Sequence, residues 1–298
     1  MKKSLALVVA TATALALAAC SSSDPETPAA DGAVAVVTST NVYGDIVEQV
    51  GGDLVDVTAI IDDPSADPHS YEASAQTQLA LSKAALVVEN GGGYDDFVDT
   101  MLDAIDNEPV VVNAVEVSGK ETGGDLNEHV WYDFPTVRAV AGAIADELSS
   151  IDAAHASTYA ANAAAFQGKV DDLIAGTDAI KAEHAGTGVA ITEPVPLYLL
   201  ENAGLVNKTP EEFSEAIEEE TDVPPAALRD TIALFSSHAV SALVYNSQTT
   251  GTETERVLSA AKDAGVAVVP VTETLPEGTD YVSWMTANID AVRSALTS

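Results

Sequence analysis

The chain has 298 residues, of which 47% are hydrophobic and 5% aromatic, and this composition excludes disorder throughout its length. It contains 12 Lys and Arg against 47 Asp and Glu, a formal net charge of −35. Such a charge disfavours nucleic acid as a partner and concentrates cations near the surface. Acidity alone does not indicate a metal protein, because a solvated acidic surface is also typical of an acidic proteome.

The first residues have the pattern of an export signal. Lys2 and Lys3 precede an apolar stretch from Leu5 to Leu17, which is too short to span a bilayer. Small residues follow at Ala18 and Ala19, as expected before a cleavage site. We therefore expect residues 1–19 to be a signal peptide.

The only cysteine of the chain, Cys20, comes directly after this segment. A single cysteine cannot form an internal disulfide, and the sequence LAAC resembles the lipobox of bacterial lipoproteins, which implies that Cys20 carries lipid. Residues 20–33 then form a Ser-, Pro- and Asp-containing tether. The expected location is the outer face of the cell membrane, or the periplasm if an outer membrane exists, with an ordinary cleaved signal as the alternative.

The next part of the chain alternates strand-like and helix-like patterns. Strands are predicted at Val34–Thr38, Val55–Ile61, Ala85–Glu89 and Val110–Val112. Helices are predicted at Val42–Val50, Gln76–Ser82, Asp95–Ile105 and Thr136–Leu148. This alternation predicts an α/β lobe with a mostly parallel sheet over residues 34–150.

A long helix is predicted next. Small or apolar residues recur at 4-3-4-3 spacing, namely Tyr159, Ala163, Phe166, Val170, Leu173, Thr177 and Ile180. With its flanks the helix would run from about Asp152 to His184, roughly 50 Å at the usual rise per residue. We favour a rigid connector over residues 151–185 that packs along two lobes, with a coiled coil as the alternative.

The alternation restarts after this helix. Strands are predicted at Val189–Thr192, Ala242–Tyr245 and Val266–Val271. Helices are predicted at Pro196–Ala203, Pro224–Ser236, Thr252–Ala264 and Asp280–Leu296. Residues 186–298 therefore form a second α/β lobe. Within it the acidic run Glu218–Asp222 reads as a solvated loop, or else as a contact with a membrane partner.

Two histidines lie in unusual surroundings. His69 stands in DPHSYE (67–72) after the second predicted strand, and His129 stands in EHVWYD (128–133) before a predicted helix. Both are loop positions with neighbouring acids, where α/β proteins place ligand groups and where a carboxylate can orient an imidazole. A single such histidine would more commonly be a polar surface residue, but the pair favours a metal site.

These two motifs resemble those of the TroA-like family, the zinc- and manganese-type solute-binding proteins of ABC importers. Further segments are similar to that family: NVYGDIVEQVGG (41–52), VENGGGY (88–94), VYNSQTT (244–250) and VTETLPEGTDYVSW (271–284). The resemblance covers essentially the whole chain after the tether. It implies two α/β lobes joined by a long helix, and capture of a metal ion for an ABC permease and its ATPase.

The resemblance also implies four metal ligands, two from each lobe. By motif match these are His69 and His129 from the first lobe, with Glu193 and Glu273 from the second. Zinc receptors of the family usually have His where Glu193 stands, and Glu273 replaces the usual Asp.

Two imidazoles and two carboxylates would make a neutral site around one divalent ion. Nitrogen and oxygen donors suit Mn²⁺, Zn²⁺ or Fe²⁺. Two glutamates permit coordination above four, and the segment Ser118–Asn127 lacks the histidine-rich loop common in zinc receptors. Manganese is therefore the favoured ion, zinc is second and ferrous iron remains possible.

Other functions are less compatible with the sequence. A metallohydrolase would need an open coordination position and a placed base, and no HExxH, GxSxG or Walker motif is present. An adhesin or scaffold would favour repeats or a large exposed apolar face, and a receptor for an organic solute would favour several aromatic residues at its cleft. We therefore expect a monomeric, non-enzymatic metal-binding protein.

Overall fold

The computed structural model describes residues 32–63, 71, 74–120 and 126–297. The predicted signal peptide, the lipidation site Cys20 and the candidate ligand His69 lie outside these residues. Within the described part of the chain, no helix is both long enough and apolar enough to cross a membrane.

The first half of the chain forms a four-stranded parallel sheet in the order β2-β1-β3-β4. Its strands are β1 (Val34–Thr40), β2 (Val55–Ile61), β3 (Leu86–Glu89) and β4 (Val110–Asn113). The central strands are buried, which explains their continuous Val and Leu runs. The register places Val36 beside both Val57 and Leu86.

The second half repeats the same arrangement in a second parallel sheet, with the order β6-β5-β7-β8. Its strands are β5 (Gly188–Ile191), β6 (Val206–Asn207), β7 (Ala242–Asn246) and β8 (Ala267–Val271). In such sheets the strand order reverses beside the first strand, and ligand groups gather beyond the carboxyl ends there. In this sheet that point lies between β5 and β7.

Helices flank both sheets. Those of the first half are α1 (Asn41–Gly51), α2 (Ala75–Leu81), α3 (Asp96–Leu102), α4 (Ala114–Ser118) and α5 (Phe134–Ile151). The long helix is α6 (Ala156–His184). Those of the second half are α7 (Leu197–Asn202), α8 (Glu211–Glu218), α9 (Pro225–Ser236), α10 (Thr252–Asp263) and α11 (Tyr281–Leu296). The predicted α/β class with two lobes and one long joining helix is confirmed.

Helix α6 packs on both halves of the molecule. Its 29 residues span about 43 Å, and it contacts α1 and α5 on one side and α7 and α11 on the other. Its buried residues are the seven of the predicted stripe. The helix begins at Ala156 rather than near Asp152, because a 3-10 turn at Ala153–His155 intervenes. Asp152 ends the preceding helix and accepts a hydrogen bond from the Tyr159 hydroxyl.

Truncating a buried side chain of α6 should greatly reduce the stability of the protein. Phe166 is 1% exposed and packs against the Tyr281 ring, with the two ring centroids 6.1 Å apart. We expect Phe166→Ala to lower the free energy of unfolding by about 3–5 kcal/mol, since it removes a fully buried ring. Chemical denaturation measures this change. Asp178→Ala, on the exposed side of the same helix, serves as the control and should change it by less than about 0.5 kcal/mol.

Hydrogen bonds also tie α11 and the segment before it to the first half. The Tyr281 hydroxyl donates to the Trp131 carbonyl (2.6 Å), and the Tyr132 hydroxyl donates to the Thr272 carbonyl (2.6 Å). The Asn41 side chain exchanges two hydrogen bonds of 2.9 Å with the backbone of Leu275. One hydrophobic core runs from β1 through α6 into β5 and α11. The two lobes are therefore packed against each other rather than joined by a bare linker.

Among the strands and α-helices of the described residues, β6, α4 and α8 were not predicted from the sequence. Strand β6 has only two residues, and α4 has five, so neither is long enough to show a period. Helix α8 does show one, since Phe213, Ser214 and Ala216 are buried while glutamates occupy four of the other five positions. The run Glu218–Asp222 is thus only partly a solvated loop: residues 219–222 are exposed, but Glu218 ends α8 and is mostly covered.

Candidate metal centre

The polar groups of the second lobe gather where its strands end. Glu193 follows β5 by two residues, Asn246 is the last residue of β7, and Glu273 follows β8 by two residues. Because neighbouring parallel strands end at one edge of a sheet, these three side chains face the same region. They are 1–6% exposed, so the sheet edge here is covered by the first lobe.

His129 approaches this edge from the first lobe. It lies in the loop before a 3-10 turn at Val130–Tyr132 and is completely buried. Its ring packs at an angle against those of Tyr94 and Trp131, with centroid distances of 5.8 and 5.0 Å. The aromatic contacts hold the imidazole in one position and exclude water from its faces.

Asn127 determines which ring nitrogen of His129 faces the second lobe. The Asn127 amide nitrogen donates to the Pro194 carbonyl (3.1 Å), so its oxygen is the atom 2.8 Å from His129 Nδ1. A carbonyl oxygen only accepts, so Nδ1 carries a proton. Nε2 then points toward the carboxylates, and its lone pair is available when the ring is neutral.

The partner of His129 Nε2 in the structure is Glu218, whose Oε1 lies 3.2 Å away. Burial lowers the pKa of His129, but the charge and hydrogen bond of Glu218 outweigh this effect. With smaller contributions from Glu128 and Glu273, they raise the pKa to about 9. At neutral pH the imidazole is therefore protonated, and Nε2 must lose a proton before it can bind a cation.

Glu193 is 2% exposed, and its Oε2 has no hydrogen-bond partner among the described residues. Burial raises the pKa of its carboxyl to about 8, and the negative charges of Glu218 and Glu273 add to this rise. Leaving a buried polar atom unsatisfied costs roughly 1–3 kcal/mol. Proteins retain such groups where a bound ligand supplies the missing contact.

Glu273 is held on three sides. The Asn246 amide donates to its Oε1 (2.5 Å), the Tyr94 hydroxyl donates to its Oε2 (3.5 Å), and its backbone N–H donates to Gln248. Tyr94 belongs to the first lobe, whereas Asn246 and Gln248 belong to the second. The carboxylate therefore lies at the boundary between the lobes, in a fixed orientation.

The structure thus brings three of the four candidate ligands to one place. His129, Glu193 and Glu273 are close enough that the charge of Glu273 raises the pKa of both other groups. The fourth candidate, His69, lies outside the described residues. The sequence interpretation missed Glu218, although the apolar spacing of Phe213 and Ala216 indicated that it could end a helix rather than lie in a loop.

An imidazole nitrogen and several carboxylate oxygens, buried between the two lobes of this protein, are donors suited to a hard or borderline cation. The family described as zinc-uptake complex component A, periplasmic, matches residues 36–295. The chain belongs to this family.

Individual relatives agree with that assignment. A manganese-binding lipoprotein of Halalkalibacterium halodurans is 29% identical over 179 residues, which cover 58% of this chain and 58% of the relative. A metal ABC transporter substrate-binding lipoprotein of Streptococcus cristatus is 26% identical over 185 residues, covering 58% and 59%. The aligned part thus spans under two thirds of either relative.

A solved structure, the periplasmic zinc-binding protein TroA of Treponema pallidum, superposes with a TM-score of 0.75 at 20% identity. The superposition covers 89% of this chain and 99% of that one. At this identity the likeness shows the fold alone: two α/β lobes joined by a long helix.

Proposed function

We propose that the protein captures one divalent transition-metal ion between its lobes and delivers it to an ABC importer. The observation that carries this proposal is the Glu193 carboxyl, which is buried with one oxygen that has no hydrogen-bond partner among the described residues. The charge of Glu273 acts both on this carboxyl and on the His129 imidazole. A divalent cation would compensate both the charge and the missing contacts of this group.

The proposed ligands are His129, Glu193 and Glu273, with His69 as the fourth by its sequence motif. Two neutral imidazoles and two carboxylates balance the charge of one divalent ion. Two carboxylates that can each bind through both oxygens favour Mn²⁺, in keeping with the manganese-binding relative. Zn²⁺ is the second candidate, because it accepts the same donors in a tetrahedral arrangement and the superposed structure is of a zinc-binding protein.

Delivery and anchoring complete the proposal. The streptococcal relative is named as a substrate-binding lipoprotein of a metal ABC transporter, and Cys20 has the sequence context of a lipidation site. We propose a monomer anchored by lipid at the outer face of the membrane, where it meets a permease and its ATPase. Its role is binding and transfer, without catalysis.

The lobes are proposed to move little when the metal binds. Helix α6 packs on both halves, and the hydrogen bonds from Tyr281 to Trp131 and from Tyr132 to Thr272 already cross the boundary. A large hinge rotation would have to break these contacts and open a continuous core. Metal binding therefore adds bonds across a boundary that is already closed.

Metal-stripped protein titrated with Mn²⁺ and with Zn²⁺ in competition tests this function, together with elemental analysis of the protein as isolated. We expect one ion per chain, and expect His129→Ala to abolish tight binding. A stoichiometry far from one, or a His129→Ala protein with unchanged affinity for both ions, would show that the site is elsewhere.

Replacing Asn246 should reduce metal affinity by a smaller amount, because Asn246 orients the Glu273 carboxylate. Asn246→Ala removes the donor to Glu273 Oε1 without removing a proposed ligand. We expect about a 10–100-fold loss of Mn²⁺ affinity, as is usual when the group orienting a metal ligand is lost. The control is Asn107→Ala, which removes a side-chain hydrogen bond to the Ala84 carbonyl in the first lobe and should leave the affinity unchanged.

A further inference from the structure

We propose that Glu218, the last residue of α8, is an additional ligand of the captured ion, so that the site has three carboxylates rather than two. This inference rests on the proposed function, which supplies the ion. It extends the ligand set to a residue outside the two histidine motifs and the two glutamates matched to the family.

The distance between Glu218 and His129 fits a shared cation. Oε1 of Glu218 lies 3.2 Å from Nε2 of His129. Nitrogen and oxygen ligands bind such metals at about 2.0–2.2 Å, so two ligands of one ion at 90–110° from each other are about 2.8–3.6 Å apart. Glu128, His129 and Glu218 each offer a ligand atom, and these atoms all lie within 4.8 Å of one another.

The placement of Glu218 differs from that of the acids around it. Its side chain is 11% exposed, whereas Glu219 and Glu220 beyond the helix are exposed. Helix α8 buries Phe213 and Ala216 against the second lobe, and this packing directs its last residue at the first lobe. A glutamate in a solvated acidic loop is not expected to lie beside a fully buried imidazole.

The surroundings of Glu193 independently indicate that it and Glu218 bind the same cation. The Glu193 side chain is 2% exposed, its Oε2 has no hydrogen-bond partner among the described residues, and the charge of Glu218 raises its pKa more than that of Glu273 does. Glu218 therefore acts electrostatically on both His129 and Glu193. Once ionised, three carboxylates around one neutral imidazole repel one another, and a divalent cation among them would offset this repulsion.

A cleft leads from solvent to this carboxylate. The cavity between α8 and the loop before His129 has a volume of about 410 Å³. Its acidic lining consists of Glu128, Glu211, Glu215, Glu218 and Glu219. An incoming cation would be attracted into this cleft, where the Glu218 carboxylate lies 3.2 Å from His129 Nε2.

A different role for Glu218 predicts the opposite result. If Glu218 only neutralises protonated His129 in the metal-free protein, metal binding would have to displace it. Its removal would then leave Mn²⁺ affinity unchanged or increase it. The two roles are separated by the sign of one measured change.

The test compares Glu218→Gln with Glu220→Gln in the metal-stripped protein, titrated with Mn²⁺ alone. We expect Glu218→Gln to lose at least about 10-fold in affinity, the lower limit for losing even an outer partner of a metal site. Glu220→Gln makes the same charge change at an exposed position outside the cleft lining and should stay within about twofold of the wild type. X-ray absorption of the Mn²⁺-loaded proteins should show one oxygen ligand fewer in Glu218→Gln.

His129→Ala separates this inference from the function on which it rests. Loss of binding in His129→Ala, with wild-type or tighter binding and an unchanged ligand count in Glu218→Gln, would overturn the role of Glu218 alone. Wild-type affinity in His129→Ala would overturn the proposed function itself.

Discussion

Glu193→Gln is expected to stabilise the metal-free protein and at the same time to abolish its tight binding of Mn²⁺. The glutamine keeps the shape of the side chain but removes a charge that burial, Glu218 and Glu273 all disfavour. Since Gln offers only a weak neutral oxygen, we expect affinity to fall at least about 100-fold. Calorimetric titration and thermal unfolding measure the two opposite changes.

The gain in stability should depend on pH in a defined direction. The pKa of Glu193 is 4.5 in its ordinary state and about 8 in the folded protein, so its ionisation opposes folding above pH 4.5. At about 1.4 kcal/mol per tenfold change in proton affinity, the gain in unfolding free energy is on the order of 4 kcal/mol at pH 8 and near zero at pH 4.

Glu201→Gln, an exposed glutamate on α7, is the matched control and should change neither quantity. A Glu193→Gln protein that is less stable than the wild type at pH 8 would contradict the account of this buried carboxyl. A Glu193→Gln protein that keeps wild-type affinity for Mn²⁺ would contradict it as well.

The affinity for Mn²⁺ is expected to rise steeply between pH 6 and pH 8. The pKa of His129 is raised to about 9, chiefly because Glu218 outweighs the effect of burial, and that of Glu193 is raised to about 8. Both groups hold a proton in the metal-free protein at pH 7 and must release it to bind metal. The apparent affinity should therefore increase by about 100-fold per pH unit below pH 8 and level off above pH 9.

Calorimetry in buffers of different ionisation enthalpy counts the protons directly, and about two should be released per ion at pH 7. In Glu193→Gln the residual binding should release one proton fewer. An affinity that stays flat from pH 6 to pH 8 would show that these two groups do not bind the ion in their deprotonated forms.

Much of the fold could be predicted from the sequence because its signals are local. Continuous runs of Val and Ile indicated the buried parallel strands. Of the eight strands in the described residues, all but β6 were predicted to within two residues at either end. The seven buried residues of α6 are those that the 4-3-4-3 spacing picked out. The start of α6 was placed too early, because the 3-10 turn at Ala153–His155 interrupts an otherwise helical composition.

The site was less accessible from the sequence because its contacts join distant parts of the chain. Motif similarity pointed to His129, Glu193 and Glu273, which the structure places together, while their roles as ligands stay a proposal. Glu218 was missed because glutamates dominate α8 and the following loop, so its burial depends on a partner 89 positions away in the chain. The orienting amides of Asn127 and Asn246 are likewise defined only by packing between the lobes.

Anomalous diffraction from crystals of the Mn²⁺-loaded protein tests the central claim most directly. We predict a single strong peak per chain, within bonding distance of His129 Nε2 and of carboxylate oxygens from Glu193 and Glu273. A peak that lies away from these three side chains, or the absence of any ordered ion between the lobes, would contradict the proposed metal centre.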